Sequence, residues 1–300
     1  MMNRRRAFVA ASVLAAVTFL SLGPRAGELV AEALLFIDLK PIVLDDSYQH
    51  DRFDTQPKDI VFQFRAYTTS FDGGDDDNGD GTADHWGIPE WVAYEMRAAP
   101  PGLGAAPARP SSWITDAGLH SVGIAPNDSS YRGSGYSRGH MCMKSHAWRM
   151  GADADWNTHT VLNAVPQLQC VNAGAWLQLE EQTGDWADDY GAVWIVCGPV
   201  IYGRAPDRWI GQGNEVKAAI PDAFYKIVVK EDVTGDLEVL AFLFPMEGVD
   251  GYCGRSSDLS PYLTSVDTVE ALTGLNFLSS LDDDVEDGLE SIVHTEIWTN

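Results

Sequence analysis

Tyr136-Ser137-Arg138-Gly139-His140-Met141-Cys142-Met143-Lys144 is the stretch around which this chain is read. It sets an arginine, a glycine and a histidine in succession, directly after Tyr131-Arg132-Gly133-Ser134-Gly135, a turn-rich run able to present them at a surface. An imidazole titrates near neutrality and accepts a proton from water. An arginine carries a fixed charge matched to phosphate oxygens, and a glycine lets the backbone approach closely. These residue types suit chemistry on a phosphodiester.

Working downstream, Asn163-Ala164-Val165-Pro166-Gln167 is followed by Asn172-Ala173-Gly174-Ala175-Trp176-Leu177-Gln178-Leu179-Glu180. Singly, each residue has an ordinary explanation: Asn163 a turn former, Asn172 a helix cap, Glu180 a solvated helix residue and Arg138 a surface ion pair. In this order and spacing, the chain resembles the DNA/RNA non-specific endonucleases, the ββα-metal family with the pattern Asp-Arg-Gly-His, Asn-x-x-Pro-Gln and Asn-x-x-x-Trp with a following Leu-Glu pair. The likeness runs from about Trp91 to about Leu278. It implies an α+β fold, with a ββα-metal (His-Me finger) core on a central, mainly antiparallel sheet flanked by helices.

The resemblance implies a Mg²⁺- or Mn²⁺-dependent endonuclease acting on DNA, RNA or both. His140 becomes the general base, with a ring near its ordinary pKa, and Asn172 the metal ligand. Glu180 holds metal-bound water. Arg138 and Arg109 neutralise the phosphate, and Asn163 positions the histidine or the phosphate. Arg109 is chosen because relatives carry an arginine after a similar Trp-Val-Ala-Tyr segment and before a tryptophan, here Trp113; Arg97 and Arg132 are the alternatives. On an unbroken helix starting at Asn172, Glu180 would sit about 12 Å along the axis, outside the inner shell. Ser137 stands where the family has aspartate, so the competing reading is a catalytically impaired nucleic-acid-binding or structural relative. His146 and His159 lack the spacing and partners of a zinc site.

Charge bears on the partner. Forty-four acidic residues against 20 basic give a net charge of -24, which opposes a polyanion. Residues 96–152 are the exception, with Arg97, Arg109, Arg132, Arg138, Lys144 and Arg149 against Asp116 and Asp128. The arginine-histidine motif lies inside that strip. No stable protein partner is implied, and nothing sets the oligomeric state.

Met1-Met-Asn-Arg-Arg-Arg6, followed by an apolar run from Ala7 to Gly23, reads as an export signal or an N-terminal membrane anchor over residues 1–33. Residues 34–300 then form one endonuclease domain working outside the cytoplasm. In such a compartment the cysteines Cys142, Cys170, Cys197 and Cys253 either bridge, with Cys142–Cys170 bracing the site, or stay as buried thiols.

In the acidic loop over residues 72–87, Asp76, Asn78, Asp80, Thr82 and Asp84 fall at calcium-loop positions 1, 3, 5, 7 and 9, with Gly81 at the sixth. Structural Ca²⁺ or a solvated acidic turn are the two readings, because Gly87 at the twelfth position lacks the closing carboxylate. Leu34–Leu44 and Asp59–Thr68 pattern as strands, Thr158–Val165 as the second strand beside His140, and Asn172 as the start of a helix. Gly191–Val200 reads as a central strand and Phe224–Val229 with Leu237–Phe244 as a hairpin. Asp267 opens a short helix that stops at Gly274, and Leu281 to Glu290 is an acidic run.

Overall fold

The computed structural model describes residues 39–299 except 75, 77–80, 82–83, 204, 250 and 257. The candidate signal or anchor lies outside the described residues, and among them no helix is long and apolar enough to cross a membrane. In chain order the strands and α-helices are β1 (Ile60–Gln63), β2 (Thr68–Phe71), β3 (Pro89–Arg97), α1 (Ala117–Ser121), α2 (Asp128–Tyr131), β4 (Ser137–His140), α3 (Lys144–Trp148), α4 (Ala152–Trp156), β5 (Ala164–Gln167) and α5 (Gln169–Asn172). There follow α6 (Ala175–Tyr190), β6 (Ala192–Val200), β7 (Trp209–Ile210), β8 (Ala218–Ala219), β9 (Ala223–Glu231), β10 (Leu237–Pro245), β11 (Leu263–Thr264), α7 (Val266–Thr273) and α8 (Asp283–Glu290).

Seven strands form one antiparallel sheet in the order β1-β2-β3-β6-β9-β10-β11, with the apolar run of β6 at its centre. Side chains alternate between its two faces. Along β9, Phe224 and Val228 join a core with Trp176, Leu179 and Trp186 of α6, while Tyr225, Ile227 and Val229 join another with Val266, Val269 and Phe277. Both faces are therefore covered. The first core also holds Met141, Cys142 and Val165, so the β4–β5 pair and α6 lie on that side of the sheet.

Several boundaries differ from the sequence expectations for local reasons. Asp59–Thr68 is not one strand, because the Phe64 amide donates to the Tyr67 carbonyl at 2.8 Å and turns the chain between β1 and β2. Residues 39–44 lie outside any strand, and 34–38 lie outside the described residues. The partner of β4 is Ala164–Gln167 rather than Thr158–Val165. A 3₁₀ turn at Val161–Asn163, capped by Thr160, occupies the earlier positions. The cap of α7 is Ser265, whose Oγ accepts the Thr268 amide at 3.1 Å, and Gly274 ends the helix at φ 72°. The acidic run closes as α8.

Asn172 does not begin the long helix. It ends α5, and α6 starts at Ala175 after a break at Ala173-Gly174. A Cβ on Gly174 would collide with the carbonyl oxygens of Cys170 and Cys253, so only glycine lets the chain turn there. Those two cysteines form the disulfide, and Cys142 and Cys197 are buried thiols. The Cys142–Cys170 bridge is thus replaced by one that clamps the break before α6 to a segment 83 residues away.

Candidate active site

The β4–β5 pair runs antiparallel with Ser137 opposite Gln167 and His140 opposite Ala164, and α6 follows to complete a ββα unit. Gly139 faces the Gln167 side chain so closely that a Cβ would collide with it. Arg109, Arg138, His140, Asn172 and Glu180 all line one cleft of about 380 Å³, together with Trp113, Ser137 and Lys144. Asn172 and Glu180, on either side of the break before α6, both line that opening.

His140 packs against Trp113, with ring centroids 4.7 Å apart, and edge-on to His159 at 5.1 Å. Its Nε2 is buried without a hydrogen-bond partner among the described residues. Burial first, then the charges of His159, Arg109 and Lys144, holds its pKa well below the ordinary value rather than near it. Each acts against the imidazolium, so the ring is neutral and able to accept a proton. Asn163 lies behind the histidine with its amide fully committed. Its Oδ1 accepts the Cys142 amide at 2.7 Å, and its Nδ2 donates to the carbonyls of Cys142 and Thr158 at 2.9 and 3.0 Å. That side chain ties down the backbone following His140 and does not line the cleft.

The basic strip is largely neutralised. Arg97 pairs with Glu95, Arg132 and Arg138 with Asp128, Lys144 with Asp155, and Arg149 with Asp188. Among the described residues Arg109 makes no ion pair and is exposed, whereas Arg97 stacks on Tyr48 and Arg132 sits outside the cleft. Arg138 is held on two sides: Nη2 lies 2.7 Å from Asp128 Oδ1 and donates to the Asp128 carbonyl at 2.8 Å. Lys144 donates to Asp155 at 2.6 Å and to the Pro107 carbonyl at 2.8 Å, which pins the connector carrying Arg109.

Glu180 does not face solvent. It is 4% exposed, accepts the Trp176 indole N–H at 3.1 Å, and lies 3.8 Å from the Lys226 ammonium. Burial pushes its carboxyl up to about 7 against the opposing pull of Lys226 and the indole. Lys226 is wholly buried, sits over the Trp176 ring at 4.2 Å and has no hydrogen-bond partner among the described residues. His146 closes the cluster: its Nε2 donates to the Glu180 carbonyl at 2.9 Å and its Nδ1 accepts from the Tyr94 hydroxyl at 3.1 Å. Burial lowers its pKa to about 3, so it is a neutral structural ring.

Sequence reading passed over Lys226, which looks like the solvent-facing residue of an alternating strand. Its phase with Phe224 and Val228 is the only signal that would have found it. In the acidic loop, Asp76 Oδ2 accepts the Gly81 amide at 2.7 Å, Gly81 has φ 85°, and Asp84 Oδ2 is buried with no partner among the described residues. Asn78, Asp80 and Thr82 lie outside the described residues.

A histidine strand, its antiparallel partner and a carboxylate-bearing helix around one cleft define a ββα class of site. The chain belongs to the DNA/RNA non-specific endonuclease family, whose description matches residues 83–284. It is 28% identical over 201 residues to mitochondrial Endonuclease G of Bos taurus, covering 64% of this chain and 63% of the bovine protein. It therefore spans just under two thirds of that relative's length. It is 29% identical over 211 residues to the Serratia marcescens nuclease, covering 67% of this chain and 72% of that one. The fold is also that of a solved chain in the EndoG/EndoGI complex, with a TM-score of 0.62 and 24% identity over 78% of this chain and 91% of that one.

Proposed function

We propose that the protein is a divalent-metal-dependent, sequence-non-specific endonuclease that hydrolyses phosphodiester bonds of DNA, RNA or both. The observation that carries this reading is the convergence of Arg109, Arg138, His140, Asn172 and Glu180 on one cleft. The donor set fits a hard cation: Asn172 offers an amide oxygen, and Glu180 a carboxylate, both on the same opening. Among the described residues the Asn172 side chain makes no hydrogen bond to protein. Asn172 would hold Mg²⁺ or Mn²⁺, and Glu180 would order its water. When bound, the ion supplies charge stabilisation to the phosphate and the leaving oxygen.

His140, kept neutral by its surroundings, accepts a proton from the attacking water. Arg138, already fixed by Asp128, and Arg109, free of any ion pair among the described residues, neutralise the phosphate as charge builds. Trp113 and His159 hold the imidazole plane from two sides. None of these groups reads a base edge, which supports sequence-independent cleavage. The Cys170–Cys253 disulfide supports an exported chain, since such bridges persist in oxidising compartments. Structural Ca²⁺ in the 72–87 loop belongs to the same reading, supported by the Asp76–Gly81 contact.

The test is cleavage of supercoiled plasmid and of RNA by the purified chain, with Mg²⁺ and with chelator. Divalent-dependent nicking is expected. Cleavage that survives full chelation overturns the metal assignment, and a protein that binds nucleic acid without cutting it restores the impaired-relative reading raised by Ser137.

A further inference from the structure

The sheet face opposite the cleft carries a second cluster of ionisable groups. Asp267 and Glu270 lie three residues apart on α7 and so share one side of it, and Glu290 is the last residue of α8. One carboxylate oxygen from each lies within 4.8 Å of the other two. Glu290 is only 5% exposed, and among the described residues its buried Oε1 has no donor outside the carboxylate cluster, where the Glu270 side chain lies in hydrogen-bond reach. A buried acceptor ordinarily has one, so this oxygen calls for an explanation.

The surroundings make the need larger. Glu290 sits at the C-terminal end of its helix, where the backbone carbonyls already carry partial negative charge. The neighbouring charges that act most strongly on it, Glu270, Glu286, Asp267 and Asp287, are all of its own sign and push the same way. Glu270 Oε1 also accepts the Phe277 amide at 2.8 Å, which pins the loop between the two helices and fixes how the carboxylates face.

We propose that Asp267, Glu270 and Glu290 form a divalent-cation site, suited to calcium, that staples α7 to α8. Three carboxylates are hard ligands, and no nitrogen or sulfur enters the set. Calcium–oxygen bonds of about 2.3–2.6 Å place ligands on opposite sides of the ion up to about 5 Å apart, whereas magnesium requires about 4 Å and near-ideal octahedral order. The three oxygens lie within 4.8 Å of one another, inside the span that a calcium ion bridges. The ion would supply the positive charge that this corner lacks. It would also hold Val266, Val269 and Phe277 of the second core against the sheet.

The experiment is amide hydrogen exchange on the full chain, read over residues 265–291, with and without CaCl₂. At free Ca²⁺ about ten times Kd, local opening should fall about tenfold and exchange should slow accordingly. Glu290→Gln and, separately, Glu270→Gln should lose this protection, while Asp76→Ala should keep it, since the acidic loop is elsewhere. Exchange over 265–291 that millimolar Ca²⁺ leaves unchanged in the wild-type chain overturns the site, and the cluster then holds a proton instead. Equal protection in the wild type and a folded Glu290→Gln chain overturns it too.

Discussion

Glu180 and Glu290 are both helix carboxylates packed against the same sheet, 4% and 5% exposed, and burial raises both, to about 7 and about 8. They differ in what faces them. Glu180 has a wholly buried ammonium 3.8 Å away and an indole N–H in hydrogen-bond contact. Glu290 has four carboxylates around it. Burial disfavours the charged form of any carboxylate, and the neighbours decide how far that goes. On the cleft face the chain supplies its own countercharge, so a carboxylate can be kept ready beside a site proposed to attract a polyanion. On the opposite face it does not, and any countercharge has to come from solution.

The largest effect should separate the two faces by activity. General-base catalysis typically contributes 10²–10⁴-fold, so His140→Ala should lower kcat by about that much with its Tm unchanged. Asp287→Asn on the opposite face should stay within about twofold, the size of a remote surface change. Initial rates on plasmid with saturating Mg²⁺ measure both. Near-wild-type cleavage by His140→Ala, free of contaminating nuclease, removes His140 as the base.

Lys226 tests the countercharge directly. Breaking a buried ion pair costs about 3–5 kcal/mol, because the remaining charge is left alone. Lys226→Met should therefore destabilise the chain by about that amount in chelator. Adding Glu180→Gln should return most of it. Loss of a supporting partner typically costs 10–100-fold in activity or metal affinity, and Lys226→Met should fall in that range. A Lys226→Met chain as stable as the wild type would mean that Glu180 is buried as a neutral acid and that the two carboxylates are alike.

What was legible in the sequence follows the same division. His140, Arg138, Asn172 and Glu180 sit in short motifs, and the cleft brings them together. The central strand and the β9–β10 hairpin were readable because apolar runs and a turn carry that signal locally. Lys226 and Glu290 were not. Each looks like a solvated charge in its own segment, one in an alternating strand and one in an acidic run. Their burial is decided by α6 closing over one face of the sheet and α8 over the other. The turn at Gly174 was hidden for a related reason: it depends on Cys253, 79 residues on, approaching as closely as Cys170. The buried wall of the site is thus a tertiary product, while the reactive groups are a local one.

His146 on one face and Glu290 on the other should respond to pH with opposite signs, measured as Tm in chelator. His146 has a folded pKa of about 3 against an ordinary 6.5, so the folded chain binds fewer protons in that window. Stability is then present above about 6.5 and lost as pH falls toward 3. Glu290 has a folded value of about 8 against an ordinary 4.5, so its folded form binds more protons, and stability is lost as pH rises from 4.5 through 8. His146→Phe should flatten the acid limb and Glu290→Gln the alkaline limb, each by a few °C, about what 1–2 kcal/mol is worth in a chain of this size. Identical limbs in wild type and Glu290→Gln would show that the far carboxylate ionises freely, and the contrast with Glu180 would fall.

The smallest effect concerns Ser137, which occupies the position where the family pattern has aspartate. If that aspartate orients the following arginine, this chain already does so with another residue: Asp128 holds Arg138 through its carboxylate at 2.7 Å and its carbonyl at 2.8 Å. The Ser137 hydroxyl is turned elsewhere, donating to Gln169 Oε1 at 2.5 Å. Ser137→Asp should then change cleavage by less than about threefold, because the arginine beside it is already paired with Asp128. Asp128→Ala should cost about tenfold, since a misplaced arginine loses its alignment with the phosphate. The contrast is read from kcat/KM of the two variants side by side. A Ser137→Asp chain that gains tenfold or more would show that the missing aspartate does something Asp128 cannot, and that the cleft face is less fully matched in charge than its ion pairs indicate.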